Sequence, residues 1–297
     1  MSSPASRLAL AKALLFITPA LWAVNYWVAR KAPGVIEPYT LALARWALVA
    51  ACIGLVARAE LRTHAREVLA QWPRFVVLGA LGMGICGAWV YLGARTTTAL
   101  NIALIYSLSP VLIALASARW LGEKLGRVQA LGVALALGGV LHVILKGQWV
   151  ALASVRLVPG DLWIVACTCA WAAYSLLLRR WPSSLSPLAR LAAIAAGGVL
   201  VLLPFALWEL AVSPIQPWSA SALGLALAAA VFPGLLAYWA YATMQRELGA
   251  ARVGVTLYLG PLYAALLAWG LLGEALHLYH LGGAVLILSG IWMVLRR

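Results

Sequence analysis

Charge is scarce in this sequence, and negative charge scarcest of all. Eight acidic residues stand against 22 basic ones in a chain of 297, and charged residues make up 10% where apolar residues make up 65%. Globular domains are about a quarter charged and about half apolar, so this composition excludes a cytosolic enzyme and a secreted disulfide module. Cysteine is sparse as well. Cys52, Cys86, Cys167 and Cys169 are scattered through apolar stretches, and Cys-x-Cys on a helix points its thiols apart, which argues against a disulfide or a metal centre. No nucleophile–base pair and no His–Glu cluster offers catalysis. The sequence predicts a protein that is not an enzyme and uses no cofactor or metal.

In place of charge the chain has long apolar runs, each about 17–25 residues, the length that crosses a hydrocarbon core of roughly 30 Å. Spans are predicted at 13–29, 38–57, 74–94, 98–119, 127–145, 159–178, 187–208, 219–242, 251–271 and 277–295. They must be helices, because backbone groups in lipid need partners within their own segment and the runs are too long for barrel strands. Glu37-Pro38 and Ser186-Pro187 each set a capping residue before a proline, a helix-start signal. Tryptophan–proline pairs at Trp72-Pro73, Trp181-Pro182 and Pro217-Trp218 suit headgroup depth. The first run lacks a small-x-small cleavage site and is interrupted by Trp22, Asn25 and Trp27, so it reads as a retained span rather than a signal peptide.

The net charge of +14 would suit a nucleic-acid binder, so the location of the bases decides its meaning. Most fall in the connections on the side of the chain termini, among them Arg58, Arg62, Arg66, Arg119, Lys124, Arg127, Arg179, Arg180 and Arg246. The other side holds Arg30, Lys31, Arg95, Lys146 and Arg156. This bias predicts both termini in the cytoplasm of a multi-pass inner-membrane protein. The charge then marks topology and contact with membrane lipid, with no nucleic acid as partner.

The chain also repeats itself. Tyr106-Ser107-Leu108-Ser109-Pro110 followed by Leu121-Gly122-Glu123 returns as Leu257-Tyr258-Leu259-Gly260-Pro261 followed by Leu272-Gly273-Glu274. In the same register Arg95 matches Arg246, Gly132 matches Gly283 and Gly139 matches Gly290, while the first helices pair Trp22 with Trp171 and Arg30 with Arg179. Two units follow, 1–148 and 149–297, of about five helices each. Five is odd, so the second unit enters the bilayer from the opposite side. Bases surround Glu123, whereas only His277 and His280 lie near Glu274. The predicted fold is an all-α membrane protein of about ten transmembrane helices in two inverted five-helix repeats, an arrangement that places a solute site near the midplane.

Trp22 and Asn25 as Trp-x-x-Asn, Arg45-Trp46 in the second span, and the two Pro…Gly-Glu turns give the chain a further likeness. Across nearly its whole length it resembles the ten-helix EamA-type permeases of the drug/metabolite transporter superfamily. The resemblance implies a five-plus-five inverted bundle with a central cavity. Spans one to four and six to nine would line it, five and ten would pack outside, and amino acids or other small metabolites would be exported.

Arg45 lies about seven residues into its span, roughly 10 Å deep at 1.5 Å per residue. A guanidinium there costs several kcal/mol, on the order of 3, unless it meets water, a partner or an anion. It either faces the cavity and pairs with an anionic group of the substrate, or it fixes the fold by bonding carbonyls at a helix break. No Asp or Glu occupies the middle of a span, which argues against a dedicated multidrug-cation pump. Trp22, Asn25 and Tyr26 share one helical face, as do Trp171, Tyr174 and Ser175. The tryptophans, Asn25 and Tyr174 are candidate cavity walls, whereas Tyr26 reads as packing. Pro110, Pro204, Pro233 and Pro261 are predicted kinks with a gating role, and Tyr106, Ser107, Ser109, Thr256 and Tyr258 are the polar groups nearest the midplane. Gly79-x-x-Gly-x-Gly84 imitates a phosphate loop, but with no strand before it the glycines read as helix-packing positions. Gly132, Ala136 and Gly139 form a small-residue stripe, either internal or a dimer face.

The sequence thus predicts an exporter of small zwitterionic or anionic metabolites such as amino acids, working as monomer or homodimer by alternating access around Trp22, Arg45 and Trp171. Alternatives are an exporter of hydrophobic cations gripped by tryptophan faces, or a lipid flippase-like protein.

Overall fold

The computed structural model describes residues 4–123, 126–215, 219–272 and 275–296. Pro217-Trp218, Lys124, the Gly273-Glu274 turn and the side chains of Tyr26 and Arg30 fall outside that description. Among the described residues the chain is helical throughout, with no strand. Nine helices among the described residues are long and apolar enough to cross a membrane, and a tenth apolar stretch is shorter, Ala250–Leu266.

In chain order α1 is Pro4–Lys31, α2 Pro38–Val56 and α3 Trp72–Ala94. Next, α4 is made of Ala99–Tyr106 and Ser109–Trp120, and α5 is Arg127–Ile144. The second unit repeats this with α6 Pro159–Arg180, α7 Pro187–Val212, α8 Ala220–Leu248, α9 over 250–272 and α10 Leu278–Leu295. Ten crossings bring the chain back to the end from which it started. The terminal end therefore also carries the 2–3, 4–5, 6–7 and 8–9 connections, and the opposite end carries the others.

The proline expectations are corrected at two positions. Pro110 and Pro261 do not kink continuous helices; each stands second in a new helical piece. α4 breaks at Ser107–Leu108, and α9 passes through a 3-10 stretch, Val255–Leu259, before restarting at Gly260. A proline lacks the N–H that a continuing helix needs from it, and the first turn of a new helix is where that lack costs least. Pro233 instead sits in a π-helical stretch, Ala230–Leu236, inside α8. A matching π stretch, Ala80–Trp89, occurs in α3. Pro204 lies within the unbroken α7.

Small residues set the close crossings. An added Cβ on Gly290 would come within 2.4 Å of the Gly132 carbonyl oxygen, and one on Gly139 within 2.8 Å of Ile287 and Leu286. The stripe of Gly132, Ala136 and Gly139 is therefore internal, sealing α5 onto α10 around Val140, Ile287 and Ile291. Gly79 and Gly198 bring α3 onto α7 in the same way, with a Cβ on Gly79 only 2.2 Å from the Gly198 nitrogen.

The few acids work at the helix ends. Ser186 caps α7 by accepting from the Ala189 N–H at 3.2 Å, as its sequence predicts. Glu37 does not cap α2: its carboxylate takes Arg95 at 2.9 Å and Ser213 at 2.8 Å. The cap comes from Glu209 of α7, which accepts from the Thr40 N–H at 2.8 Å and the Thr40 hydroxyl at 3.1 Å. Asp161 accepts from Asn101 at 2.8 Å, from the Val158 N–H at 2.9 Å and from Thr97, tying the start of α4 to the start of α6.

Candidate functional site

A cavity of about 800 Å³ runs between the two units. Its wall takes Trp22 and Asn25 from α1, Arg45 from α2, Tyr91 from α3, Tyr106, Ser109 and Pro110 from α4, Trp171 from α6, Pro233 and Tyr238 from α8, and Tyr258 and Pro261 from α9. Both helix restarts and both π stretches, that of α3 through Cys86, thus line the same space. The lining continues through Ala32, Gly34, Ile36, Glu37, Arg95 and Ile215, so the mouth lies at the opposite end.

Toward the terminal end an aromatic floor closes the space. Trp22 meets Trp171 edge-on at 5.4 Å between ring centroids, and Tyr241 lies 5.4 Å from Trp22 and 5.0 Å from Trp171. Edge and tilted pairings are the favoured aromatic geometries. Below the floor, the Ser175 and Tyr241 hydroxyls share a hydrogen bond of 2.8 Å. At the surface of that end, Glu123 accepts from Arg179 Nε at 3.3 Å and from the Ala251 N–H at 3.1 Å. This clamp joins the turn after α4 to the end of α6 and the start of α9.

Arg45 fits both readings its sequence position allows. Its side chain lines the cavity, and its Nη2 donates to the Pro233 carbonyl at 2.8 Å, inside the π stretch of α8. The guanidinium also lies over the Trp46 ring, 4.8 Å from its centroid. Gly234 leaves it room, since a Cβ there would sit 3.4 Å from Arg45 Nε. That Nε is buried and without a hydrogen-bond partner. The wall's one described carboxylate, Glu37, is held at the mouth by Arg95 and Ser213. The depth of the cavity therefore carries unneutralised positive charge.

Other wall residues also hold buried polar atoms without a protein partner: Ser109 Oγ, Trp171 Nε1 and Tyr258 Oη. Buried polar groups are ordinarily hydrogen-bonded, and one left unmade costs about 1–3 kcal/mol. Four such groups around one space are suited to a ligand that accepts hydrogen bonds. Asn25 is engaged, accepting from the Tyr91 hydroxyl at 3.3 Å.

One expected wall residue and one expected kink stand away from the cavity. Tyr174 is 1% exposed and stacks on Trp171 at 5.3 Å, filling the gap that Gly82 leaves in α3. Pro204 is likewise absent from the wall, because α7 packs along α2 and α3 on the side away from the cavity. Tyr238, absent from the sequence reading, occupies the wall beside Trp46 and donates to the Gly82 carbonyl at 2.6 Å. Its spacing to Tyr241 is the same i, i+3 pattern that singles out Trp22 and Asn25. Among the described residues no group of three or more His, Cys, Asp or Glu is placed to hold a metal ion.

Known proteins match along almost the whole chain. The EamA-like transporter family model matches twice, at residues 10–145 and 158–296. The uncharacterized transporter YyaM of Bacillus subtilis (strain 168) is 26% identical over 269 residues, spanning 89% of this chain and 86% of YyaM. An uncharacterized transporter of Archaeoglobus fulgidus is 27% identical over 286 residues, spanning 94% of this chain and 95% of its own. A solved crystal structure superposes with a TM-score of 0.76 at 21% identity, covering 96% of both chains, a likeness of fold.

Proposed function

Since the chain belongs to the EamA-like transporter family and is a multi-pass membrane transporter, we propose that it exports small anionic or zwitterionic metabolites such as amino acids, by alternating access to the central cavity. The observation that carries the reading is Arg45: a buried guanidinium with one carbonyl acceptor, an unpartnered Nε and no carboxylate beside it. A substrate carboxylate arriving there supplies a charge-assisted hydrogen bond, a class of contact that contributes about 1.5–3 kcal/mol. Ser109, Trp171 and Tyr258 hold further unpartnered polar atoms within the same wall, and the tryptophan and tyrosine rings accept an apolar side chain.

With both termini cytoplasmic, as the distribution of bases favours, the mouth faces outward and the Glu123 clamp closes the inner side. Rocking the two units about the aromatic floor would break that clamp and close the mouth. The restarts in α4 and α9 and the π stretches in α3 and α8 are where the helices already bend. Export rather than uptake is part of the proposal and rests on family likeness alone.

The aromatic floor favours a second reading, in which hydrophobic cations are gripped through ring faces. Proteoliposomes loaded with labelled amino acids, organic acids, nucleosides or quaternary ammonium compounds separate the two. Counterflow of a carboxylate-bearing solute that collapses in Arg45→Met supports the first reading. Cation efflux that survives this substitution, with no carboxylate counterflow, sinks it.

A further inference from the structure

A second, smaller cavity of about 150 Å³ opens at the terminal end, where α6 stops, α7 starts and α8 stops. It is separate from the substrate cavity, whose mouth is at the other end of the molecule. Three arginines line it, Arg179, Arg190 and Arg246, with Ser183 and Gln245, and its lining contains no carboxylate.

The site is built rather than a loose patch of surface charge. Gln245 is 2% exposed, and neither its Oε1 nor its Nε2 has a hydrogen-bond partner. Arg190 is anchored by its Nη2, which donates to the Trp181 carbonyl at 2.5 Å, while its buried Nε is left without a partner. Arg179 is held by Glu123 through Nε and by the Arg246 carbonyl through Nη1, both at 3.3 Å. The neighbouring acids are engaged by serines: Glu67, at the pocket's edge, takes the hydroxyls of Ser183 and Ser184, and Glu60 takes Ser186 at 2.8 Å. Glu123 balances Arg179, but among the described residues Arg190 and Arg246 have no ion-pair partner and repel one another, and a buried amide with no partner costs about 1–3 kcal/mol. An anion with several acceptor oxygens sitting among them would offset the repulsion and give Gln245 Nε2 an acceptor.

We propose that this pocket binds a phosphate group. Arginine forks match its oxygens, and the Gln245 amide supplies a neutral donor at the buried end. The size suits a phosphate with a short substituent. Trp181, whose carbonyl anchors Arg190, stands beside the pocket at the end of α6, and indoles are favoured at headgroup depth. Basic pockets between membrane helices on that side commonly hold lipid headgroups. A phosphodiester headgroup and a soluble phosphate monoester present the same chemistry to these residues.

The test is thermal unfolding of the purified protein in nanodiscs, followed by tryptophan fluorescence. In discs of phosphatidylcholine with phosphatidylglycerol added, or in phosphatidylcholine discs with inorganic phosphate against chloride at matched ionic strength, the melting temperature should rise by about 3 °C. The rise should fall by at least two-thirds in Arg246→Gln, an exposed residue whose loss spares the fold, and in Gln245→Leu. It should persist in Arg62→Gln/Arg66→Gln, which removes charge from the same end outside the pocket. A rise with phosphatidylglycerol alone identifies a lipid headgroup, and one with inorganic phosphate as well identifies a soluble phosphate compound. No rise in either arm, or a rise that Arg246→Gln and Gln245→Leu leave intact, overturns the proposal.

Discussion

In the first repeat α2 carries Arg45 and Trp46 to the edge of the cavity. The register that pairs Trp22 with Trp171 sets Ile194 and Ala195 at the matching positions of α7, both buried and apolar. Backbone features behave differently, because each has a twin. The break at Ser107–Leu108 in α4 answers the 3-10 stretch of α9, and the π stretch of α3 answers that of α8. Even the carbonyls that accept from side chains correspond. In the register that matches Arg95 to Arg246, Gly82 falls on Pro233, and these are the carbonyls that accept from Tyr238 and Arg45. The two repeats thus share whatever bends and packs the helices, while the guanidinium deep in the cavity wall belongs to one of them. A second guanidinium at position 194 would be buried among apolar side chains, where an uncompensated charge is costly. One anionic group needs one partner.

The comparison makes unequal and equal effects predictable. The largest should be equal: Gly139→Val and Gly290→Val each force a Cβ into the opposing helix and should cost about 3 kcal/mol, the upper part of the overpacking range. Loss of the monodisperse peak on size exclusion would show it for both. A variant that tolerates one and not the other would break the symmetry of the scaffold. Next come the unequal pair. Arg45→Met should lower anion counterflow by about 100-fold, in line with a lost charge-assisted bond, while Ile194→Val should change it by less than about twofold. Matched losses from both would move the charge out of the transport step. Trp22→Leu and Trp171→Leu should raise the half-saturation concentration by roughly fivefold each, since ring contacts contribute about 0.5–1.5 kcal/mol. Tyr238→Phe, which unties only the Gly82 carbonyl, should lower thermal stability by about 1 kcal/mol.

The smallest effect should be a pH dependence at the terminal end. Glu67, between α2 and α3, is held below the ordinary carboxylate range by hydrogen bonds from Ser184 and Ser183. A depressed folded-state pKa stabilises above the unfolded value and is lost as pH falls through the folded one. Wild type should therefore melt slightly above Glu67→Gln at pH 7, and the gap should close in acid below about pH 4. A gap that widens in acid would remove Glu67 from the contacts between the first repeat and the α6–α7 connection.

Much of this was legible in the amino-acid order, because bilayer thickness imposes a length on every span. α2 and α5 begin at Pro38 and Arg127 as the apolar runs predict, and the duplicated Pro and Gly positions place both breaks and the α5–α10 seam. Trp22, Arg45 and Trp171 could be singled out since polar and aromatic groups in a span must find company. Tyr174 misled because its face also points toward Gly82, and the absence of a side chain there is visible only once α3 and α6 cross. Glu37 misled in the same way: a capping residue by type, it is drawn to Arg95 and leaves α2 to be capped by Glu209, 169 residues away. Gln245 gave no signal, being one amide at the end of an ordinary amphipathic turn.

Hydrophobic run length, base distribution and internal duplication determined on their own that the chain crosses the bilayer about ten times in two matched units. Those are properties of segments, and solvent reads them segment by segment. Which carbonyl Arg45 would take, which aromatics would form a floor and which acid would cap which helix depended on distances between residues far apart in the chain. Only the packed bundle sets such distances, because each contact exists through the crossing of helices that glycines and prolines allow.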